Sequence, residues 1–329
     1  MVGNSKTGER IFMIRVAVVG AGHFGREHAR IYSTAKDARL VAVCDINEAN
    51  GKPVAERLGA RFVTDFRELV GEVDAVSLAV PTESHHAIAC ALMEAGVSVL
   101  VEKPMTRTLE EADDMIATAA RKGVVLQVGH LERYNPAVAA AGLIVTQPRF
   151  FEAHRLSVFT PRSLDIDVVM DLMIHDLDVV LSFVKSEVAE IRAAGVPILT
   201  PKVDIANARV EFENGCVANL TASRVSSERV RKLRFFQPHE YVSIDYSAQE
   251  AAVVSVRPAA GGKPQFESRL LTAGRDEPLR IEIESFLAAL GGGQVKTGGM
   301  EGRRALALAM GITEKIREHA ARVGLGFAR

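Results

Sequence analysis

Apolar residues fall in short unbroken runs through the first 130 positions and alternate with polar ones through much of the remainder. The runs at 14–19 (IRVAVV), 40–44 (LVAVC), 74–80, 97–101 and 124–128 have the length of strands. Their lack of alternation predicts burial on both faces, as in a parallel sheet. Between them, 23–32, 49–58, 84–95 and 109–121 carry helical spacing. Strand and helix thus alternate as in a doubly wound α/β domain. Thr108 and Glu111 predict a capping box before the last of these helices.

After residue 130 one helical stretch, 165–184, precedes strands expected at 187–194, 205–213, 216–223, 230–236, 240–245 and 252–256. Asn214-Gly215 predicts a tight hairpin with positive φ at both central positions. Helices at 277–290 and 301–322 close the chain around the glycine-rich loop 291–299. The expected fold class is therefore α/β, an N-terminal Rossmann-type parallel sheet followed by an α+β domain with a mostly antiparallel sheet. The expected division is a disordered lead-in over 1–12, with Met13 as a candidate start, a dinucleotide-binding domain over 13–130, and an α+β substrate and oligomerisation domain over 131–300. A C-terminal helix over 301–329 is expected to pack back on the first domain.

Length agrees with two domains, since 329 residues exceed the usual size of one. Forty basic residues against forty-one acidic ones give no electrostatic footprint for nucleic acid. Cys44, Cys90 and Cys216 are odd in number and far apart. That spacing points to no disulfide scaffold and no metal motif, and fits a reducing, cytoplasmic setting. No apolar run approaches the ~18 residues that span a bilayer, and the polar MVGNSKTGER is no secretory signal.

The first chemical motif is Gly20-Ala21-Gly22-His23-Phe24-Gly25, placed between a strand and a helix. Gly20 permits the tight turn, Gly22 lets the backbone approach a pyrophosphate, and Gly25 lets helix and strand pack closely. His23 and Phe24 open the helix whose free N–H groups face the anion. Asp45 ends the next strand, where a carboxylate accepts ribose hydroxyls and repels a 2′-phosphate. NAD is the expected cofactor. A ligand-free strand–helix turn is the plainer alternative.

Glu102-Lys103-Pro104 follows the strand at 97–101, on the side where open α/β sheets bind ligands. Lys103 is a candidate for substrate and cofactor, or else a solvated lysine at a strand end. Asp171 and His175 are four apart in an apolar helical stretch, so they share a face, and Asp178 extends it. A carboxylate one turn away orients an imidazole and raises its basicity. A buried ion pair is the structural alternative. Pro81, Thr82 and His85 follow another strand, where Thr82 is a plausible N-cap and His85 is in reach of a cofactor. Tyr134 either faces the cleft or starts a helix. Arg224, Arg229, Arg231, Lys232 and Arg234 form a basic cluster in sheet sequence, for solvent, a second copy or a substrate diphosphate.

VAVVGAGHFGREHARIY, VAVCDIN, the EKP tripeptide, the D-x-x-x-H helix and the EPL-x-x-E-x-x-x-F stretch at 277–286 together resemble the glucose–fructose oxidoreductase/inositol dehydrogenase (Gfo/Idh/MocA) family. The resemblance implies a Rossmann domain, an open antiparallel sheet that mediates homo-dimers or homo-tetramers, and hydride transfer to a nicotinamide from sugar or cyclitol carbons. It implies that Lys103 contacts substrate and nicotinamide, with Asp171 and His175 as the catalytic pair. Either His175 or Lys103 is the base. The segment from 203 to 237 resembles a bacterial subgroup that oxidises the 3-hydroxyl of UDP-N-acetylglucosamine. For that subgroup a PLP-dependent aminotransferase takes the 3-keto product toward lipid A. Arg224 and Arg231 then become candidates for the substrate diphosphate, with Tyr134 and Asp178 as weaker substrate contacts. A free-sugar or inositol dehydrogenase and a non-catalytic NAD-binding sensor are the competing readings.

Overall fold

The computed structural model describes residues 13–160, 166–257, 263–271 and 274–324. The expected lead-in over 1–12 lies outside them. The described residues divide into two compact units. The first is built from Met1–Glu102, Asp114–Gln127 and Ile283–Lys296, the second from Lys103–Asp113, Val128–Glu282 and Thr297–Arg329.

The first unit is organised on a six-stranded sheet. Its strands are β1 (Ile14–Val19), β2 (Ala38–Cys44), β3 (Arg61–Val63), β4 (Ala75–Leu78), β5 (Ser98–Glu102) and β6 (Leu126–Gly129), in the order β3-β2-β1-β4-β5-β6. The pairs from β3 through β5 are parallel. Val16–Val19 and Ala75–Leu78 are at most 3% exposed, which is why the sequence runs showed no alternation. Helices α1 (His23–Tyr32), α2 (Glu48–Leu58), α3 (His85–Glu94) and α4 (Leu109–Lys122) are the crossovers. At α4 the Thr108 hydroxyl accepts from the Glu111 N–H, and the Glu111 carboxylate accepts from the Arg107 N–H. Strand order reverses beside β1, the position at which open α/β sheets bind ligands.

The second unit carries an eight-stranded sheet in the order β14-β13-β12-β11-β7-β10-β9-β8. Its strands are β7 (Phe150–Leu156), β8 (Val188–Val196), β9 (Ile205–Phe212), β10 (Val217–Ser223), β11 (Val230–Gln237), β12 (Glu240–Asp245), β13 (Glu250–Arg257) and β14 (Gln265–Leu271). Only the β7–β10 pair is parallel. Alternate residues such as Phe151, Ala153, Ala208, Val210, Leu233 and Phe235 are buried on one face. Helix α5 (Pro136–Gly142), a π-helical turn Val169–Met173 and helix α6 (Ile174–Val184) belong to this layer, and α7 (Pro278–Leu290) and α8 (Gly299–Val323) follow.

Several expectations change. The helix expected over 165–184 begins at Val169, and its first turn is π rather than α. The 214–215 hairpin is a three-residue loop closed by Gly215 N–H to Phe212 O. Gly215 has φ +79°, whereas Asn214 has no positive φ and its side chain accepts from the Cys216 N–H. One left-handed residue after an ordinary turn satisfies the strand twist as well as two would. Strands β7 and β14 and the short β3 were not expected, and helix α5 begins just after Tyr134, where a helix start was one of the two alternatives. The final helix packs on β8 and α6 and clusters with the second unit.

Candidate active site

In the first unit β1 ends at the glycine loop. Gly20 takes φ +92°, and a side chain there would press on the Ala79 carbonyl. A methyl on Gly25 would overlap the Gly20 carbonyl oxygen. A methyl on Gly22 would meet nothing within 4 Å. Gly22 is the N-cap of α1 and no side chain caps that helix, so its first N–H groups face open space beside exposed His23 and Phe24. Asp45 fixes the loop to β2: one carboxylate oxygen accepts from the Ala21 N–H at 2.7 Å and the other from the Asn47 N–H at 2.8 Å. Each oxygen keeps a lone pair for a hydroxyl. A dinucleotide's pyrophosphate and ribose fit this cradle by its open Gly22, its uncapped helix and its acidic strand end.

The other candidates in this unit divide. Pro81 precedes a 3₁₀ turn, Thr82–Ser84, and no side chain caps α3. Thr82 is therefore not the N-cap the sequence suggested. His85 is 1% exposed and bonds through Nε2 to the Val80 carbonyl oxygen at 2.9 Å. It pins the strand end and faces away from solvent. Glu102 meets His28 Nε2 at 3.1 Å, His28 Nδ1 meets the Ser77 hydroxyl at 3.0 Å, and Tyr32 meets the same hydroxyl at 2.8 Å. This buried chain ties α1, β4 and the end of β5 together. Sequence reasoning missed it, although His28 is three residues beyond the glycine motif.

In the second unit Lys103 lies against the π turn. Its ammonium donates to the Asp171 carbonyl oxygen at 2.7 Å and lies 3.4 Å from the Asp171 carboxylate. His175 makes no hydrogen bond to Asp171 among the described residues, and its Nδ1 is buried without a partner. The expected Asp171–His175 pairing is thus replaced by a Lys103–Asp171 pairing. The reason is geometric: a π turn has more residues per turn than an α-helix, so positions four apart no longer superpose. Burial pushes the His175 imidazole well below the usual histidine range, and the positive Lys103, Arg155, His130 and Arg231 add to it. The ring is neutral near pH 7.

The rest of α6 is held by charges the sequence did not reveal. Arg155 on β7 makes a two-pronged bond to Asp176, at 2.7 and 3.0 Å, and a third to Glu132 at 2.9 Å. Its guanidinium lies 4.9 Å over the Tyr246 ring. Asp178 is 2% exposed, and burial raises its carboxyl despite Arg133 at 3.4 Å. Tyr134 is buried with its hydroxyl 3.0 Å from Thr297. Arg224 is buried and donates to the Ile166 carbonyl oxygen at 2.7 Å. Asp178, Tyr134 and Arg224 are thereby buried in the second unit. The basic cluster also separates by strand period. Lys232 and Arg234 pair outward with Asp245 and Glu152, whereas Arg231 stands opposite Arg155 in register, on the His175 side. Arg231 is exposed and forms no ion pair among the described residues, with Glu132 and Asp176 acting on it only through space.

Residues 14–130 match the family described as oxidoreductase family, NAD-binding Rossmann fold, and 144–237 match the Gfo/Idh/MocA C-terminal domain. The chain belongs to the Gfo/Idh/MocA family. It is 41% identical, over 91% of its length and 96% of the relative's, to a UDP-N-acetylglucosamine 3-dehydrogenase of Acidithiobacillus ferrooxidans. A solved structure of that bacterium's enzyme superposes with a TM-score of 0.86 at 39% identity, covering 92% of this chain and 98% of the other. An inositol 2-dehydrogenase of Rhizobium meliloti is 26% identical over 93% of this chain and 97% of its own. Membership makes this Gfo/Idh/MocA protein an NAD-dependent dehydrogenase. Among the described residues no helix is long and apolar enough to cross a membrane.

Proposed function

We propose that this protein oxidises the 3-hydroxyl of UDP-N-acetylglucosamine, or a close UDP-N-acetylhexosamine, to a ketone with NAD⁺. The observation that carries the chemistry is a neutral, half-buried imidazole in a helix whose first turn holds a lysine ammonium. The substrate rests on the near full-length likeness to the Acidithiobacillus enzyme. Bound NAD⁺ supplies the hydride acceptor at nicotinamide C4. Gly20, Gly22, His23, Phe24 and Gly25 cradle the pyrophosphate and Asp45 takes the ribose hydroxyls, while Pro81, Thr82, His85 and Glu102 shape the strand ends beside them. His175 accepts the hydroxyl proton as the carbinol hydrogen leaves. Lys103, aimed by Asp171, hydrogen-bonds the same oxygen and stabilises its growing negative charge. Arg231 is the cation placed for the diphosphate.

In this reading the protein works in the cytoplasm as a homo-dimer or homo-tetramer. The ketone is the substrate an aminotransferase needs on the way to an amino sugar of lipid A. The test is absorbance at the reduced-nicotinamide band with UDP-N-acetylglucosamine, free N-acetylglucosamine and myo-inositol in parallel. Turnover of the nucleotide sugar alone is expected. Turnover of inositol alone would transfer the assignment to the inositol dehydrogenases, which the Rhizobium likeness favours.

A further inference from the structure

Helices α3 and α4 hold a cluster that dehydrogenation does not use. His86 and Cys90 are four apart on α3, on one face. His86 Nε2 lies 2.7 Å from an Asp114 carboxylate oxygen on α4, and Cys90 Sγ lies 3.7 Å from the same oxygen. The three prospective ligand atoms are all within 4.8 Å of one another. We propose that His86, Cys90 and Asp114 form a binding site for a divalent d-block cation of the zinc class.

The Cys90–Asp114 spacing fits a metal, and the His86–Asp114 spacing comes within reach of one. With Zn–S near 2.3 Å, Zn–N about 2.0–2.1 Å and Zn–O about 2.0–2.2 Å, a tetrahedral centre sets sulfur and oxygen about 3.6 Å apart and nitrogen and oxygen about 3.4 Å apart. The Cys90–Asp114 separation already has that value. The His86–Asp114 pair must open by about 0.7 Å to reach it, which rotation of the 59% exposed Asp114 side chain supplies. Imidazole, thiolate and carboxylate together suit zinc or cobalt, and exclude magnesium and calcium, which take oxygen alone. Three protein ligands leave the fourth position to water, kept open by the exposure of Asp114. On binding, the metal–sulfur bond forms as the Cys90 thiol proton passes to solvent, and His86 ligates as the neutral ring; no electron changes hands. The sequence concealed the site because its third ligand comes from another helix, 24 residues on.

The test uses full-length, tag-free, metal-stripped protein with cobalt(II) as the probe. One equivalent is expected to bind with a thiolate-to-cobalt charge-transfer band in the near ultraviolet, and zinc(II) is expected to abolish that band by displacement. Cys90→Ser removes the band, and His86→Asn and Asp114→Asn each weaken cobalt binding by at least about tenfold. All three variants keep a cooperative melting transition, which separates loss of a ligand from loss of the fold. The proposal is overturned if wild type gives no thiolate band, or if the band survives Cys90→Ser. Undiminished binding by both His86→Asn and Asp114→Asn overturns it as well.

Discussion

Replacing Gly22 by alanine separates cofactor binding from folding, because the new methyl group enters open space and not the protein. Gly22 has φ −66° and ψ −165°, which alanine adopts without strain. Alanine is a poorer N-cap than glycine by a fraction of a kcal/mol, and this is offset by the ~0.4–1 kcal/mol gained from a stiffer unfolded chain. The melting temperature should therefore move by no more than about 2–4 °C, the shift that 1 kcal/mol produces in a domain of this size. A pyrophosphate seated on the loop occupies that same space. Losing one charge-assisted backbone hydrogen bond costs about 1.5–3 kcal/mol, a ten- to hundredfold weaker Kd. Gly25→Ala is the contrasting variant: its methyl overlaps the Gly20 carbonyl oxygen, so α1 must shift, and stability and binding fall together. NADH fluorescence titration and thermal melting read both quantities. Wild-type affinity for NADH in a normally folded Gly22→Ala protein refutes the placement of the pyrophosphate.

Lys103→Met and His175→Ala should each lose about 10²–10⁴-fold in kcat while NADH binding holds, since the proposed mechanism has both act on the transferring proton and oxygen; steady-state kinetics with full activity in either variant removes its assigned role. Arg155→Met leaves the carboxylates of Asp176 and Glu132 buried without their cation, at a cost of about 3–5 kcal/mol. Urea unfolding measures this, and a loss under about 1 kcal/mol shows the three-way pairing to be slack. The acid limb of kcat/KM should lie below the ordinary histidine value of 6.5, because His175 is needed neutral and burial lowers it. A limb at or above 6.5 in the pH profile contradicts that assignment.

The parts legible in the sequence are those whose causes are local in the chain. The glycine loop was readable because turn, close approach and helix packing each demand glycine at a fixed offset. The parallel strands were readable because burial on both faces leaves unbroken apolar runs. Strand β7 was not, because Arg155 occupies an inward position that normally signals solvent, and its partners Glu132 and Asp176 are 23 and 21 residues away. Strand β14 is exposed on almost every residue, so no alternation marks it. The Asp171–His175 spacing was read with α-helical geometry, which the π turn changes. The basic run near 224–234 looked like one patch, but the two-residue period of β11 sends Arg231 to one face and Lys232 and Arg234 to the other. The Arg155 network shows the general limit: charges that satisfy one another across long sequence separations leave no pattern in either segment.

The charges around His175 also bear on how a weak base is made adequate for its task. The resting imidazole is disfavoured as a cation first by burial, then by Lys103, Arg155, His130 and Arg231. Arg155 is answered by Asp176 and Glu132, and Lys103 by Asp171. Arg231 alone of these three long side chains forms no ion pair among the described residues; the acidic groups that act on it, Glu132 and Asp176, are already bonded to Arg155. In the proposed mechanism, an anionic diphosphate on Arg231 would cancel one of the charges that suppress protonation of His175, and the substrate would itself raise the basicity of the ring that deprotonates it. Because kcat/KM reports the free enzyme and kcat the substrate complex, the acid limb of kcat should lie at higher pH than that of kcat/KM when the substrate is a nucleotide sugar. Arg231→Ala should bring the two limbs together by moving the kcat/KM limb upward, since one cation is gone before substrate arrives. Coincident limbs in the wild type, or an unmoved kcat/KM limb in Arg231→Ala, would show that Arg231 neither holds the diphosphate nor tunes His175.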